Sequence, residues 1–316
     1  MQWEKLIKIS RPRFWMYTFG PFLIGWIAGI VYQLDSAAGL WLWWSVVRSW
    51  EALPMILSIY LSPVMFFLLL IAADYFLFSA NLWIYGVNDI ADGDTDQLNN
   101  KKWDYEHKLE DNQKSRLSRM VFLLNSIEWW LLLVLLIVVE KFVYYNTQRR
   151  WWAWALVMFW LTAYFYSALP IRAKAKPFVD GIFNVLYILP SMVWWIVAGN
   201  SIVWFSRAGF IAAWLWAMAM HAYSAIPDIE PDREAGLTTT AVLLGKQGTL
   251  IYCGLLRAVA AYIAYTILWL PMLLMWAVYL LMIIASFGGE VMKLYRRFPW
   301  INAGVGFILF WVIVLG

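Results

Sequence analysis

Two clusters of acidic residues, far apart in the chain, hold the side chains best suited to chemistry. Residues 88–96 contain four aspartates, and residues 228–234 contain two aspartates and two glutamates. Carboxylates this close repel one another at neutral pH, so each cluster needs a positive partner. The alternative is that each cluster is simply the solvated end of a helix, which would show the same pattern. Both clusters, however, follow a long apolar stretch, and their matching positions favour a shared ligand.

The spacing within the clusters places oxygen donors on single helix faces. Asn88, Asp92 and Asp96 are four residues apart, as are Asp228 and Asp232, and residues four apart lie on one side of a helix. Carboxylate and amide oxygens suit Mg²⁺, which takes water and phosphate oxygens as its remaining ligands. We predict that these five residues are the catalytic metal ligands and that two Mg²⁺ ions hold one diphosphate.

A basic loop follows another apolar stretch, at residues 166–176. Its Arg172 is able to grip a phosphate through two parallel hydrogen bonds, and Lys174 adds a point charge. Ordinary cytoplasmic positive charge or contact with lipid headgroups would give the same composition. Beside two acidic clusters we interpret the loop, with its Tyr166, as part of a diphosphate-binding site. We predict that Asp180 and Asn184, four residues apart in the next stretch, line the cavity.

Polar residues also precede the first cluster at heptad spacing. Asp74, Asn81 and Asn88 are seven residues apart, which keeps them on nearly one helix stripe. A carboxyl group inside a membrane is costly unless it faces a polar cavity or a partner, so the stripe is predicted to face the bundle interior. Asn81 and Tyr85 are candidate substrate-binding residues, with hydrogen bonding between helices as the alternative. Asp74 is interpreted as a structural partner or a neutral carboxyl.

Polar residues near the second cluster are open to two interpretations. His221 lies seven residues before Asp228, on the same stripe, but a lone helical histidine is commonly a satisfied core residue. Glu128 and Arg257 lie inside apolar stretches, where they either pair or face the cavity.

Pro231 is predicted to end or bend its helix near the second cluster. This would place Asp232 and Arg233 on a loop over the cavity, with Arg233 as a further substrate-binding residue.

The composition identifies the class of protein that must position these residues. The chain has 316 residues, of which 63% are hydrophobic and 14% charged, with a mean hydropathy of +0.65. Soluble domains are about half apolar and a quarter charged, so this is an all-α polytopic membrane protein. The net charge of +4 comes with no basic stripe, which speaks against a nucleic-acid partner. One cysteine, Cys253, excludes an internal disulfide.

Stretches of about 20 apolar residues mark the membrane-spanning helices. They predict a single domain over residues 1–316, a nine-helix bundle with a central cavity. The tryptophan-rich residues 39–58 are interpreted as an interfacial segment, with a tenth span as the alternative. The predicted spans are 14–33, 64–88, 119–139, 151–169, 179–198, 203–226, 248–269, 271–288 and 299–315.

The distribution of basic residues predicts the orientation of the bundle. With nine spans, 18 of the 24 lysines and arginines fall on the side of the N-terminus, and 5 fall on the other. Cytoplasmic loops carry the excess of positive charge. The N-terminus, both acidic clusters and the cavity mouth are therefore predicted to be cytoplasmic, in a protein of the cell membrane.

The two acidic motifs resemble a known pair. Asn88-Asp89-x-x-Asp92-x-x-x-Asp96 and Asp228-x-x-x-Asp232-x-x-x-Gly236 are similar to the two aspartate-rich motifs of the UbiA-type intramembrane prenyltransferases, whose fold of nine spans matches the predicted spans along nearly the whole chain. Short matches are most similar to the lycopene elongase branch, which makes C50 carotenoids. They are residues 10–15, 85–89, 101–106 and 227–236.

The resemblance implies a reaction. Mg²⁺ and basic side chains draw charge from a prenyl diphosphate, the C–O bond ionises, and a carbon of a lipophilic acceptor attacks the allylic cation. In the lycopene elongase branch the donor is dimethylallyl diphosphate and the acceptor is lycopene. An aromatic quinone precursor or a glycerol lipid is the alternative acceptor. A cation-binding transporter is the alternative outside enzymes, although transporters place charged residues near the membrane midplane.

Overall fold

The computed structural model describes residues 3–38, 62–91, 111–142, 151–289 and 291–315, and every regular element in these ranges is a helix. Asp92, Asp96 and the predicted interfacial segment 39–58 lie outside the described residues. The α-helices are α1 (Trp3–Ile9), α2 (Met16–Ala38), α3 (Pro63–Asp74), α4 (Ala80–Ala91), α5 (Asp111–Phe142), α6 (Trp151–Ser167), α7 (Val179–Ile182), α8 (Leu189–Val197), α9 (Arg207–Ser224), α10 (Ile229–Glu234), α11 (Thr240–Leu268), α12 (Leu270–Gly288) and α13 (Val291–Leu315).

Seven stretches of the described chain are long and apolar enough to cross a bilayer, which confirms the polytopic all-α prediction. The number nine stays a prediction, because neither α6, with 17 residues, nor the described part of α13 is among these stretches. The seven stretches are Pro12–Gln33, Pro63–Ala91, Lys114–Lys141, Val179–Val197, Arg207–Glu234, Thr240–Leu268 and Leu270–Gly288.

The helices pack as two closed rings that share α2 and the stretch Val179–Val197. In one ring, α2 contacts α8, α8 contacts α6, α6 contacts α4, and the π-helix between α3 and α4 returns to α2. In the other ring, the 3₁₀ segment Phe183–Tyr187 contacts α9, which is followed by α11, α12 and α13, and α13 returns to α2. Each acidic cluster begins at the end of a helix in one of the two rings, so the packing brings the clusters toward a common centre.

The shared contact between α2 and α8 depends on a glycine. A Cβ atom built on Gly25 would lie 2.1 Å from the carbonyl oxygen of Ser191, so no larger residue fits without moving the helices apart. The two backbones therefore approach closely, as small residues allow in membrane bundles.

The predicted stripe of Asp74, Asn81 and Asn88 is wrong at its first member. Asp74 is exposed, whereas Asn81 is fully buried. The reason is the π-helical turn Tyr75–Ser79 between them. A π-helix bonds to the fifth residue along the chain instead of the fourth, so the heptad phase is lost across it.

The predicted loop at the second cluster is also wrong. Helix α9 ends at Ser224, a 3₁₀ turn covers Ile226–Asp228, and α10 then carries Pro231 in its first turn. Proline is tolerated there because the first N–H groups of a helix have no intrahelical partner. The break occurs earlier than predicted, at Pro227, and Asp232 and Arg233 lie on a short helix.

Candidate active site

A cavity of about 210 Å³ lies where the two rings meet. Its wall includes residues from the N-terminal segment, α4, α6, the basic loop, α9, α10 and α13. Among the predicted site residues, those that line it are Tyr85, Asn88, Tyr166, Lys174, Asn184, Asp228 and Asp232. Packing thus brings Asn88 of the first cluster, both aspartates of the second cluster and Lys174 of the basic loop to one space.

Asn88 joins the first cluster directly to the basic loop. Its Oδ1 accepts hydrogen bonds from Lys174 Nζ at 3.0 Å and from Ser167 Oγ at 2.9 Å. Asn88 lies in the last turn of α4, and Ser167 ends α6. The contact holds the lysine ammonium at the membrane end of the cavity, where a diphosphate would need positive charge.

The second cluster reaches the cavity through two of its four acidic residues. Asp228 ends the 3₁₀ turn and Asp232 lies one helical turn further along, so both side chains line the wall. Arg233 is not among the lining residues. It is 53% exposed and pairs with Glu230 at 2.7 Å, which leaves its predicted substrate contact without support from the described geometry.

Arg11 belongs to the site and was not predicted as a site residue. Its guanidinium makes a 2.8 Å ion pair with Asp89, which is 1% exposed, and lies 4.7 Å over the ring of Tyr85. Arg11 also lines the cavity. The signals in the sequence were the Arg-Pro-Arg run just before the first span and the family match over residues 10–15. Neither identifies Asp89, 78 positions away, as the partner of Arg11, because packing brings the two together.

Aromatic rings form the deeper wall of the cavity. The hydroxyl groups of Tyr85 and Tyr187 lie 3.3 Å apart. Phe14 packs on Tyr85 at 5.6 Å and Tyr17 on Tyr187 at 6.0 Å, measured between ring centroids. Tyr85 precedes Asn88 by three residues on α4, so the aromatic wall begins one helical turn below the polar mouth. Aromatic faces stabilise cations, and the same rings are apolar enough to hold a hydrocarbon.

Two other predicted site residues do not line the cavity. The Asn81 amide donates to Thr18 Oγ1 at 2.8 Å and to the carbonyl oxygens of Phe76 and Leu77 at 2.9 and 3.0 Å. Asn81 therefore forms hydrogen bonds between helices, which was the alternative to its predicted role in substrate binding. Arg172 is half-buried in the basic loop with φ 45°, at the start of a short 3₁₀ turn.

Glu128 and Arg257 do not pair. Within the described chain the guanidinium of Arg257 makes no ion pair with Glu128, and it lies 3.9 Å from the centre of the Tyr279 ring. Of the two alternatives, pairing is therefore excluded, and neither residue lines the cavity.

The donor set fits a hard divalent cation. Asn88, Asp228 and Asp232 present oxygen atoms to one cavity, and oxygen ligands with nearby phosphate are what Mg²⁺ prefers. Within the described ranges no three His, Cys, Asp or Glu side chains converge closely enough to bind an ion by themselves. The remaining ligands would come from the diphosphate, water and the predicted Asp92 and Asp96.

Comparison with known proteins identifies relatives of the whole chain. The model of the UbiA prenyltransferase family matches residues 37–303. A lycopene elongase/hydratase of Haloarcula japonica is 33% identical and aligns with 98% of this chain and 92% of its own length. A lycopene elongase/hydratase of Haloferax volcanii is 35% identical, over 96% and 86% of the two chains.

Solved structures share the fold. A UbiA homologue from Archaeoglobus fulgidus bound to DMAPP and Mg²⁺ has a TM-score of 0.55 and 19% identity, over 98% of this chain and 99% of that one. The apo structure of a UbiA homologue from Aeropyrum pernix K1 has a TM-score of 0.61 and 16% identity, over 92% and 97%. At these identities the likeness concerns the helical architecture alone.

Proposed function

Because this chain belongs to the UbiA prenyltransferase family and is a membrane prenyltransferase, we propose that it transfers a dimethylallyl group from dimethylallyl diphosphate to lycopene, with Mg²⁺ as cofactor. The observation that carries the proposal is one cavity with acidic and basic side chains at its mouth and aromatic rings below. Relatives named lycopene elongase/hydratase over nearly the full length support the acceptor.

The residues divide the reaction between them. Asn88, Asp92, Asp96, Asp228 and Asp232 would hold Mg²⁺, which when bound neutralises the leaving diphosphate. Lys174, together with Arg172, would bind diphosphate oxygens, since charge-assisted contacts are the strong ones. The rings of Tyr85 and Tyr187 would face the allylic cation and keep water away from it. A terminal double bond of the acceptor would then attack the freed carbon.

The geometry also favours a hydrocarbon acceptor. Quinone precursors and glycerol lipids carry hydroxyl groups that need partners when buried. The deeper wall, which is made largely of aromatic rings, is better suited to a polyene.

The test is the reaction of purified protein in detergent. With dimethylallyl diphosphate, lycopene and Mg²⁺, we expect release of diphosphate and carotenoids enlarged by one and then by two five-carbon units, the C50 product carrying one unit at each end. Without Mg²⁺ we expect neither diphosphate nor enlarged carotenoid. Mass analysis of the pigment identifies the product. Turnover of 4-hydroxybenzoate or a glycerol lipid in place of lycopene would contradict the acceptor and leave the family chemistry intact.

We further propose that the cavity mouth faces the cytoplasm, as the bias of basic residues predicts. A cysteine introduced near Asn100, in a protein whose Cys253 has been replaced by alanine, is then expected to react with a membrane-impermeant maleimide only after the cells are opened. Labelling of this cysteine in intact cells would show that the cavity mouth faces the outside. A protein with a cysteine in place of Arg149, on the predicted outer side, is the control and is expected to be labelled in intact cells.

A further inference from the structure

His221 is directed into the cavity and is not used by diphosphate binding. It lies on α9, seven residues before Asp228, and both residues line the wall. The hydroxyl of Tyr166 lies 3.4 Å from each ring nitrogen, with the two rings edge to face. Its side chain is 17% exposed, so the imidazole is accessible from the cavity yet held on several sides.

Asp180 holds the imidazole from behind. Its Oδ2 lies 3.8 Å from His221 Nε2, and the carboxylate is only 1% exposed. Oδ1 accepts from the backbone N–H of Gly181 at 2.7 Å and from the hydroxyl of Thr240, and Oδ2 accepts from the backbone N–H of Thr240 at 2.8 Å. A buried carboxylate with three donors is fixed in position and keeps its charge.

Contacts from three segments of the chain hold His221 and Asp180 in place. Thr240 begins α11, and its hydroxyl also accepts from the backbone N–H of Phe178 at 2.6 Å. Asn184 Nδ2 donates to the backbone carbonyl of Asp180 at 2.7 Å and lines the cavity. A buried carboxylate behind an accessible imidazole holds the ring in one orientation and favours the tautomer whose proton is on the nearer ring nitrogen.

We propose that His221, positioned by Asp180, is the base that ends the reaction, which rests on the proposed prenyl transfer. Attack of the acceptor double bond on the allylic cation leaves a tertiary carbocation on the acceptor. With Nε2 facing Asp180 and carrying the proton, Nδ1 has the free lone pair. His221 is thus a catalytic residue for proton transfer, and Asp180 is a positioning residue.

The step balances without a further reagent. In elimination, a C–H bond beside the cationic carbon breaks, its electron pair forms the new C=C bond, and the proton goes to Nδ1. If water instead adds, a C–O bond forms and one O–H proton of that water goes to Nδ1. In both cases the imidazolium faces the Asp180 carboxylate and later releases its proton to solvent or to the departing diphosphate.

The leaving diphosphate is the competing base. It is anionic and would lie in the same cavity, but it would be held by Lys174 and the acidic clusters. His221 lies in the last turn of α9, whereas Asp228 follows the break after Ser224. A base on α9, inside the helix bundle, is expected to be nearer the hydrocarbon acceptor than a diphosphate held by the acidic clusters.

The experiment measures the ratio of elongated carotenoid to diphosphate released, using dimethylallyl diphosphate, lycopene and Mg²⁺. For His221→Gln we expect this ratio to fall at least tenfold while diphosphate release stays within about threefold. Ionisation is intact, but an acceptor cation that is not deprotonated breaks its new C–C bond and returns to the allylic cation. Water then captures the allylic cation as a five-carbon alcohol, and the proton of that water goes to the diphosphate. Asp180→Asn is expected to change the ratio in the same direction. For His221→Ala, added imidazole is expected to restore the ratio in part.

Tyr223→Phe is the matched control. It lies on the same helix, is fully buried, and loses only a hydroxyl that bonds Ser286 at 2.9 Å, so its ratio is expected to equal that of the wild type. An unchanged ratio in both His221 variants would assign the proton to diphosphate and overturn the proposal. A proportional loss of carotenoid and diphosphate release, without imidazole rescue, would also overturn it. A wild-type protein that elongates another acceptor contradicts the proposed function instead, and the ratio is then measured with that acceptor.

Discussion

Replacing Asp228 by Asn is expected to lower prenyl transfer roughly a hundredfold to a thousandfold, the range seen when one preorganised electrostatic group is removed from a leaving group or oxyanion. Asn keeps the size of the side chain but removes the charge that would hold Mg²⁺ in the cavity. Asp92→Asn is expected to act in the same way from the first cluster. The measurement is diphosphate release by purified protein across a range of Mg²⁺ concentrations.

The control for charge alone is Glu234→Gln, because Glu234 belongs to the same cluster but is exposed and does not line the cavity. We expect wild-type turnover from it. Thermal unfolding in detergent checks that the Asp228 variant is folded, and Mg²⁺-dependent protection against unfolding gives a readout independent of activity. An Asp228→Asn enzyme with wild-type turnover and normal expression would remove the second cluster from the mechanism.

Replacing Lys174 by Met is expected to raise the apparent KM for the prenyl diphosphate roughly tenfold to a hundredfold. The ammonium lies 3.0 Å from Asn88 Oδ1 at the cavity wall, and a charge-assisted contact contributes about 1.5–3 kcal/mol, where about 1.4 kcal/mol is a factor of ten. The KM for the acceptor is expected to stay constant, because a hydrocarbon offers an ammonium group no partner. Steady-state kinetics in both substrates measure the two effects separately.

Lys176→Met is the matched control, since Lys176 lies in the same loop but is exposed and away from the cavity. If it raises the donor KM as much as Lys174→Met does, the loop acts through general surface charge.

Arg172→Ala is expected to weaken donor use by a factor similar to that of Lys174→Met. Arg172→Lys is expected to recover donor use only in part, because lysine lacks the two-pronged guanidinium. A loss confined to the acceptor KM would place the loop outside the diphosphate site.

The sequence by itself determined the class of protein and its family. Hydrophobicity is a local property, so long apolar stretches identify membrane helices without any knowledge of their packing. The two acidic motifs and the basic loop are also local, and the cavity is lined by Asn88, Lys174, Asp228 and Asp232. Within the described chain, these are the features whose chemistry depends on residue type and short spacing.

Only the tertiary structure decided which polar residues face the cavity. The π-helical turn after Asp74 changed the helix phase, so the heptad count failed at Asp74. Asn81 faces α2 and bonds Thr18 instead of lining the cavity. No local pattern connects Arg11 to Asp89, or His221 to Asp180, since these pairs are separated by 78 and 41 positions and meet only when the two rings close. The direction in which a side chain points depends on the rotation accumulated along its helix and on which helices pack beside it. Both are properties of the packed bundle.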